Sequence, residues 1–348
     1  MIHARGLTRH FRVKDTTVEA VRGIDLDVGQ GELVAFLGPN GAGKSTTLRM
    51  LTTLLAPTAG TAEVAGCDVV ADPAGVRRRI GLVGQGNGAG HNQRVRDELV
   101  HQGRCYGLAR PKAESRADEL TASLGLAELA GRVVSTLSGG QRRRLLVAMG
   151  MVHRPPLLFL DEPSTGLDPQ NRANLKDEIL RLRDDHGTTI VLTTHYLDEA
   201  DALADRVVVI DHGQVIADGT PAALKADLVG DRVVVTLADR AHAARAAAVA
   251  ELLPGVLQVT VGGASGPHPS VMVRTRDGGA LVPRLVRDLD ADGVSAVAVE
   301  VSTATLDDVF LALTGRSLRE SAVANTGSPS TSSTLSVVHA ETVLQEAS

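Results

Sequence analysis

Apolar residues in this chain fall into short continuous runs and longer amphipathic stretches, and the alternation of the two sets the first expectation. A compact run over residues 32–37 has strand length and is followed by a Gly-rich turn and a helical continuation. The residues before it read as short strands around turns. After Gln85 the pattern turns helical through about Val152, in several polar helix-sized pieces. Strand signals return at 157–160, 188–194, 206–210 and 214–217. Strands alternating with helices predict an α/β fold whose mostly parallel sheet is covered on both faces, with a helical insertion near 86–155.

Beyond about Val229 the order changes. Strand 232–237, helix 240–253, strands 256–261 and 270–275, helix 280–290 and strand 294–301 give a βαββαβ order. That order predicts a small ferredoxin-like α+β unit, which a last helix at 306–313 would close. The expected division is therefore a first domain over 1–229, an accessory domain over 230–315, and a mostly disordered tail over 316–348 that is rich in Ser and Thr from Ser321 onward.

Hydrophobic residues make up 43% and charged residues 22% of the 348, as in ordinary globular proteins. The net charge of −5 gives no support for nucleic-acid binding. The only two cysteines, Cys67 and Cys105, lack metal-ligand spacing, which fits a reducing compartment. The apolar runs are far short of the roughly 20 residues a membrane-spanning helix needs, and the start MIHARGLTRHF has no apolar core of the signal-peptide kind. Aromatic residues are only 2%, so each invites inspection.

The strongest chemical signal is the run Gly38, Pro39, Asn40, Gly41, Ala42, Gly43, Lys44, Ser45 and Thr46. Glycines let successive backbone N–H groups turn toward a polyphosphate, and the following helix offers its positive end. Lys44 would meet the β- and γ-phosphates, and the Ser45 hydroxyl would ligate Mg²⁺. A second signal is LLFL followed by Asp161 and Glu162, an apolar strand that ends in two carboxylates. Buried charge there needs partners, and Asp161 can hold Mg²⁺ through water while Glu162 polarises the attacking water. A third is Leu137 followed by Ser138, Gly139, Gly140 and Gln141 before a basic helix, which makes a second anion-facing surface. A single nucleotide does not obviously need both surfaces. A head-to-tail pair of subunits with each nucleotide between them accounts for both. The arginine runs 77–79 and 142–144 read as solvated helix faces.

In this order the motifs over residues 1 to about 229 resemble the ATP-binding subunit of an ATP-binding-cassette transporter. Residues 38–46 match the Walker A motif, Gln85 the Q-loop, 137–141 the signature, 157–162 the Walker B motif, 164–168 the D-loop, and His195 the switch histidine. The resemblance implies ATP and Mg²⁺ as ligands, Glu162 as the catalytic carboxylate, His195 at the γ-phosphate, Gln85 on Mg²⁺, and Phe11 stacked on adenine. The wording around 142–169 and 193–221, and LDDVFLALTG at 306–315, is similar to the daunorubicin-resistance type of drug-export ATPase. That implies a dimer with a second copy or a homologous subunit, and a separate membrane permease as partner. It also implies a place on the cytoplasmic face of the membrane and no nucleic-acid partner. A soluble cassette ATPase acting on nucleic acid or ribosomes is the alternative. The polar, Gly-rich run after Gln85 departs from the more apolar segment usual in relatives, at the place expected to touch the permease.

Overall fold

In a computed structural model, the structure describes residues 1–14, 16–86, 88–262 and 269–317. The tail expected from Ser321 onward lies outside the described residues. The chain opens with β1 (Ile2–Val13) and β2 (Thr16–Val28), an antiparallel pair of 12 and 13 residues, where the sequence suggested short strands. Register shifts along β1 let one pair run unbroken through positions that read as turns. β3 (Leu33–Leu37) is buried at every residue, as a strand covered on both faces must be. The Gly-rich turn leads into α1 (Lys44–Leu51). Then come β4 (Ala59–Val64), β5 (Cys67–Asp68), α2 (Pro73–Arg79) and β6 (Ile80–Val83).

The predicted helical insertion holds α3 (Val95–Cys105), α4 (Arg110–Ser123) and α5 (Gly139–Met151). Its first part is not helical. The stretch before α3 runs through turns beside residues 130–135, with Val134 N–H donating to Gln93 O (2.9 Å) and Ser135 N–H to His91 O (3.1 Å). The loop after Gln85 is thereby laced to the segment that delivers Ser138.

The chain continues through β7 (Leu157–Asp161), α6 (Pro169–His186), β8 (Thr189–Thr194), α7 (Leu197–Leu203), β9 (Arg206–Asp211), β10 (Gln214–Gly219) and α8 (Pro221–Leu228). The central sheet has the order β10-β9-β3-β8-β7-β6, parallel except for β10. One face packs on the antiparallel sheet β2-β1-β4-β5, and the other on the helices that include α5 and α6.

A third sheet is built from β11 (Asp231–Leu237), α9 (Ala243–Glu251), β12 (Val256–Val261), β13 (Ser270–Thr275), α10 (Gly278–Ala291) and β14 (Ala296–Ser302). Its antiparallel order β12-β13-β11-β14 is the ferredoxin-like arrangement expected from βαββαβ, with its own apolar cluster. The final helix α11 (Leu306–Thr314) does not close that unit. Leu306, Val309 and Phe310 form one buried stripe that joins the core of the central sheet, beside Leu203 and Leu224. The amphipathic pattern announces a buried face, and tertiary packing alone decides which surface covers it.

Candidate nucleotide site

Parallel strands place their connecting loops at one edge, and the candidate residues gather there. The Gly-rich loop follows β3, Gln85 follows β6, Asp161 and Glu162 end β7, and His195 follows β8. Since β3, β8, β7 and β6 are neighbours, residues as far apart in the chain as Ser45 and Asp161, 116 positions, meet at this edge.

Gly43 caps α1 with φ of +105°, and a Cβ there would stand 2.6 Å from Ala20 O, so no side chain fits. The turn after β9 braces this loop, with Gly213 N–H donating to Ala42 O at 2.8 Å and Arg22 N–H to Gly213 O at 2.8 Å. Lys44 is buried, and its ammonium donates to Gly38 O (2.6 Å) and Pro39 O (2.9 Å). Burial lowers its pKa, against the pull of Glu162 and Asp161. A cavity of about 330 Å³ lies over the loop, lined by Ala20, Asn40, Gly41, Ala42, Gly43, Lys44, Ser45, Thr46, Gln85 and Glu162.

Ser45, Gln85 and Asp161 converge. The Ser45 hydroxyl donates to Asp161 Oδ1 at 2.8 Å, and Gln85 Nε2 donates to Ser45 Oγ at 3.4 Å. Asp161 is buried and also accepts from the Thr193 hydroxyl at 2.7 Å, which meets the requirement that its charge be partnered. This oxygen-rich set with a single carboxylate fits Mg²⁺, a hard cation that keeps waters and shares phosphate oxygens. Among the described residues no group of three or more His, Cys, Asp and Glu side chains offers an all-protein metal site.

Glu162 has φ of +47°, a strained conformation for a non-glycine residue, which aims its carboxylate into the cavity instead of along the strand. Its N–H donates to Thr193 Oγ1 at 3.0 Å, and its Oε2 accepts from the Thr165 hydroxyl at 3.1 Å. His195 Nδ1 stands 3.5 Å from Glu162 Oε2 and makes no hydrogen bond. The His195 ring, Thr165 and Lys44 hold the Glu162 carboxyl below its ordinary range, against partial burial. It is therefore ionised at neutral pH, the state a general base would need.

The signature lies elsewhere. Ser138 caps α5 in a capping box with Gln141: Gln141 N–H donates to Ser138 Oγ (3.3 Å) and Ser138 N–H to Gln141 Oε1 (3.0 Å). Neither Ser138, Gly139, Gly140 nor Gln141 lines the cavity over the phosphate loop. Phe11 is also absent from that lining. It is half-exposed on β1, with the Arg9 guanidinium 4.8 Å from its ring centre, on the hairpin that supplies Ala20.

The family model for ABC transporters matches residues 21–165. The chain is 46% identical over 297 residues to the daunorubicin/doxorubicin resistance ATP-binding protein of Streptomyces peucetius, covering 85% of this chain and 88% of that one. The chain belongs to the ATP-binding subunits of ABC transporters.

The linearmycin resistance ATP-binding protein of Bacillus subtilis is 33% identical, with 86% of this chain and 95% of the relative covered. In fold, this cassette resembles a dimeric ATP-binding cassette solved in a post-hydrolysis state with ADP and phosphate. The TM-score is 0.59 at 23% identity, over 63% of this chain and 98% of the other. This cassette is an ATPase of the daunorubicin-resistance branch. Among the described residues no helix is long and apolar enough to cross a membrane.

The arginine run 142–144 was misread from sequence, since none of the three is exposed. Arg143 is not part of a solvated face: it is buried, and donates to Gly84 O at 2.8 Å and Asp161 O at 3.2 Å. Burial lowers its pKa to about 10. The guanidinium ties the strand end before Gln85 to the strand end before Glu162. Its spacing to the buried Leu146 and Val147, three and four positions on, carried that signal. Thr193, which holds both Asp161 and Glu162, was also missed, because nothing in a strand sequence marks one threonine above another.

Proposed function

We propose that this chain powers the export of a drug, natural product or lipid through a separate membrane permease, as one of two cassettes that close on ATP. Backbone N–H groups of residues 40–43 and the Lys44 ammonium would hold the phosphates. Ser45, Gln85 and Asp161 would hold Mg²⁺, which neutralises charge on the phosphate oxygens when bound. Glu162 would take a proton from the attacking water, with His195 beside the γ-phosphate. Phe11 would stack on the adenine, which extends past the phosphate cavity.

The observation that carries the paired reading is the absence of Ser138, Gly139, Gly140 and Gln141 from the lining of the phosphate cavity. A second copy, or a homologous subunit, would supply the signature to complete each site. For the permease, the groove beside Gln85 is the favoured contact: a space of about 370 Å³ with Val83, Gly84, Gly86, Tyr106 and Leu146 in its walls. The chain would then sit on the cytoplasmic face of the membrane through that partner, with residues 230–315 as an accessory unit.

The test is to tag the chain in its native host, solubilise membranes in mild detergent and identify what copurifies. A stoichiometric polytopic membrane protein is expected. Recovery of ribosomes, nucleic acid or no partner would overturn the exporter reading.

A further inference from the structure

Glu199, on α7, is a buried carboxylate to which the chemistry above gives no part. Its Oε1 accepts from the hydroxyl of Ser164, and its Oε2 accepts from the hydroxyl of Thr194 at 2.5 Å. The two hydroxyls belong to different loops. Ser164 lies in the segment that runs from Glu162 to Asp168, the cap of α6. Thr194 is the last residue of β8, directly before His195, and its Oγ1 also accepts from Tyr196 N–H at 3.0 Å. The backbone on both sides of His195 is thus held through one side chain, and the other end of that hold is two residues from Glu162.

A buried carboxylate is costly, and shape alone would be served by a leucine or a methionine. Burial pushes the Glu199 carboxyl up, and the Ser164 and Thr194 hydroxyls with Arg172 oppose that. Two short links from one rigid helix to two loops fix a distance that neither loop fixes alone. The distance in question is the 3.5 Å between His195 Nδ1 and Glu162 Oε2, where no direct hydrogen bond holds the pair.

We propose that Glu199 is a positioning residue for ATP hydrolysis, clamping the loop after Glu162 to the strand before His195 so that both groups face the γ-phosphate together. The proposal rests on the roles given above to Glu162 and His195. It makes Glu199 act on turnover and leaves nucleotide binding, which is made at residues 38–46, almost untouched.

The full chain is assayed with Mg-ATP. Glu199→Met keeps the volume and cuts both links; its kcat is expected to fall about tenfold or more, with KM for ATP within about threefold of the parent. Glu199→Gln keeps one carbonyl acceptor and one N–H donor for the two hydroxyls, and is expected to recover most of the loss. Should Glu199→Met fail to fold, Thr194→Val cuts the histidine-side link alone and is expected to lower kcat with KM held. Ser164→Ala and Thr194→Val should be non-additive in the parent, because either one breaks the same clamp. A folded Glu199→Met with parental kcat, or with kcat and KM altered in equal measure, overturns the clamp. Glu162→Gln serves as the reference. If that variant hydrolyses ATP normally, the site reading itself is wrong, whereas an inactive Glu162→Gln beside a fully active Glu199→Met sinks only the clamp.

Discussion

At the scale of single residues, the candidate site keeps its charged groups partnered within the fold. Lys44 is inside the loop it serves, held by two of that loop's carbonyls. A positive donor preorganised in this way is worth roughly 3 kcal/mol in a transition state, so Lys44→Ala is expected to lose on the order of 10²–10³ in turnover. Steady-state ATPase assays check this, and near-normal activity would refute the phosphate-loop role. Glu162→Gln is expected to bind ATP, hydrolyse it poorly and accumulate as a dimer. Light scattering that shows only monomer at saturating Mg-ATP would count against the paired arrangement. The convergence of Lys44, Ser45, Gln85, Asp161 and Glu162 was legible because each belongs to a motif that needs its neighbours. The left-handed backbone of Glu162 was not legible, since it arises from the hydrogen bonds Thr193 offers and not from any preference of glutamate.

At the scale of elements, the strands were the most readable parts. β12 and β13 begin and end at the residues read from the sequence, 256–261 and 270–275. The basic helix α5 was readable as a helix but not by face, because Arg142, Arg143 and Arg144 look alike in sequence and face different surroundings. Arg144 reaches toward Glu178 on α6, with Nε 3.8 Å from Oε1, while Glu178 Oε2 has no hydrogen-bond partner. Burial pushes the Glu178 carboxyl up from 4.5 to about 7, with Arg144 and Arg181 opposing. The folded state therefore holds this proton more tightly than the unfolded chain does. Nothing is lost below pH 4.5. Stability falls as the pH rises from there to about 7, by up to about 3 kcal/mol, and then levels. Denaturant melts of Glu178→Gln are expected to match the parent near pH 5 and to exceed it above pH 7. Parallel profiles would show that α5 and α6 accommodate the charge.

At the scale of the whole molecule, the third sheet is set between two stretches of chain, one before it and one after it, that pack on the central core. Residues 231–302 form a separate apolar cluster, yet α11 returns to the central core, and just beyond it Arg316 donates to both oxygens of Asp211 at 2.8 and 2.9 Å. Asp211 ends β9, immediately before the turn whose Gly213 braces the phosphate loop. The βαββαβ order was legible as a unit because its pattern is local. The return of α11 was not, because a contact between residues about 100 positions apart leaves no trace in a local pattern.

The separation of the signature from the phosphate cavity has a genetic consequence. Under the shared-site reading, a Lys44→Ala chain and a Gly139→Asp chain are each inactive alone, since every site in either homodimer carries one lesion. Mixed, they form heterodimers in which one site collects both lesions and the other collects none. Co-expressed or co-refolded in equal amounts, two dead proteins are therefore expected to regain measurable ATPase activity, while a Lys44→Ala chain mixed with a Glu162→Gln chain rescues nothing, because both lesions fall on the phosphate-loop half and each site of the heterodimer keeps one.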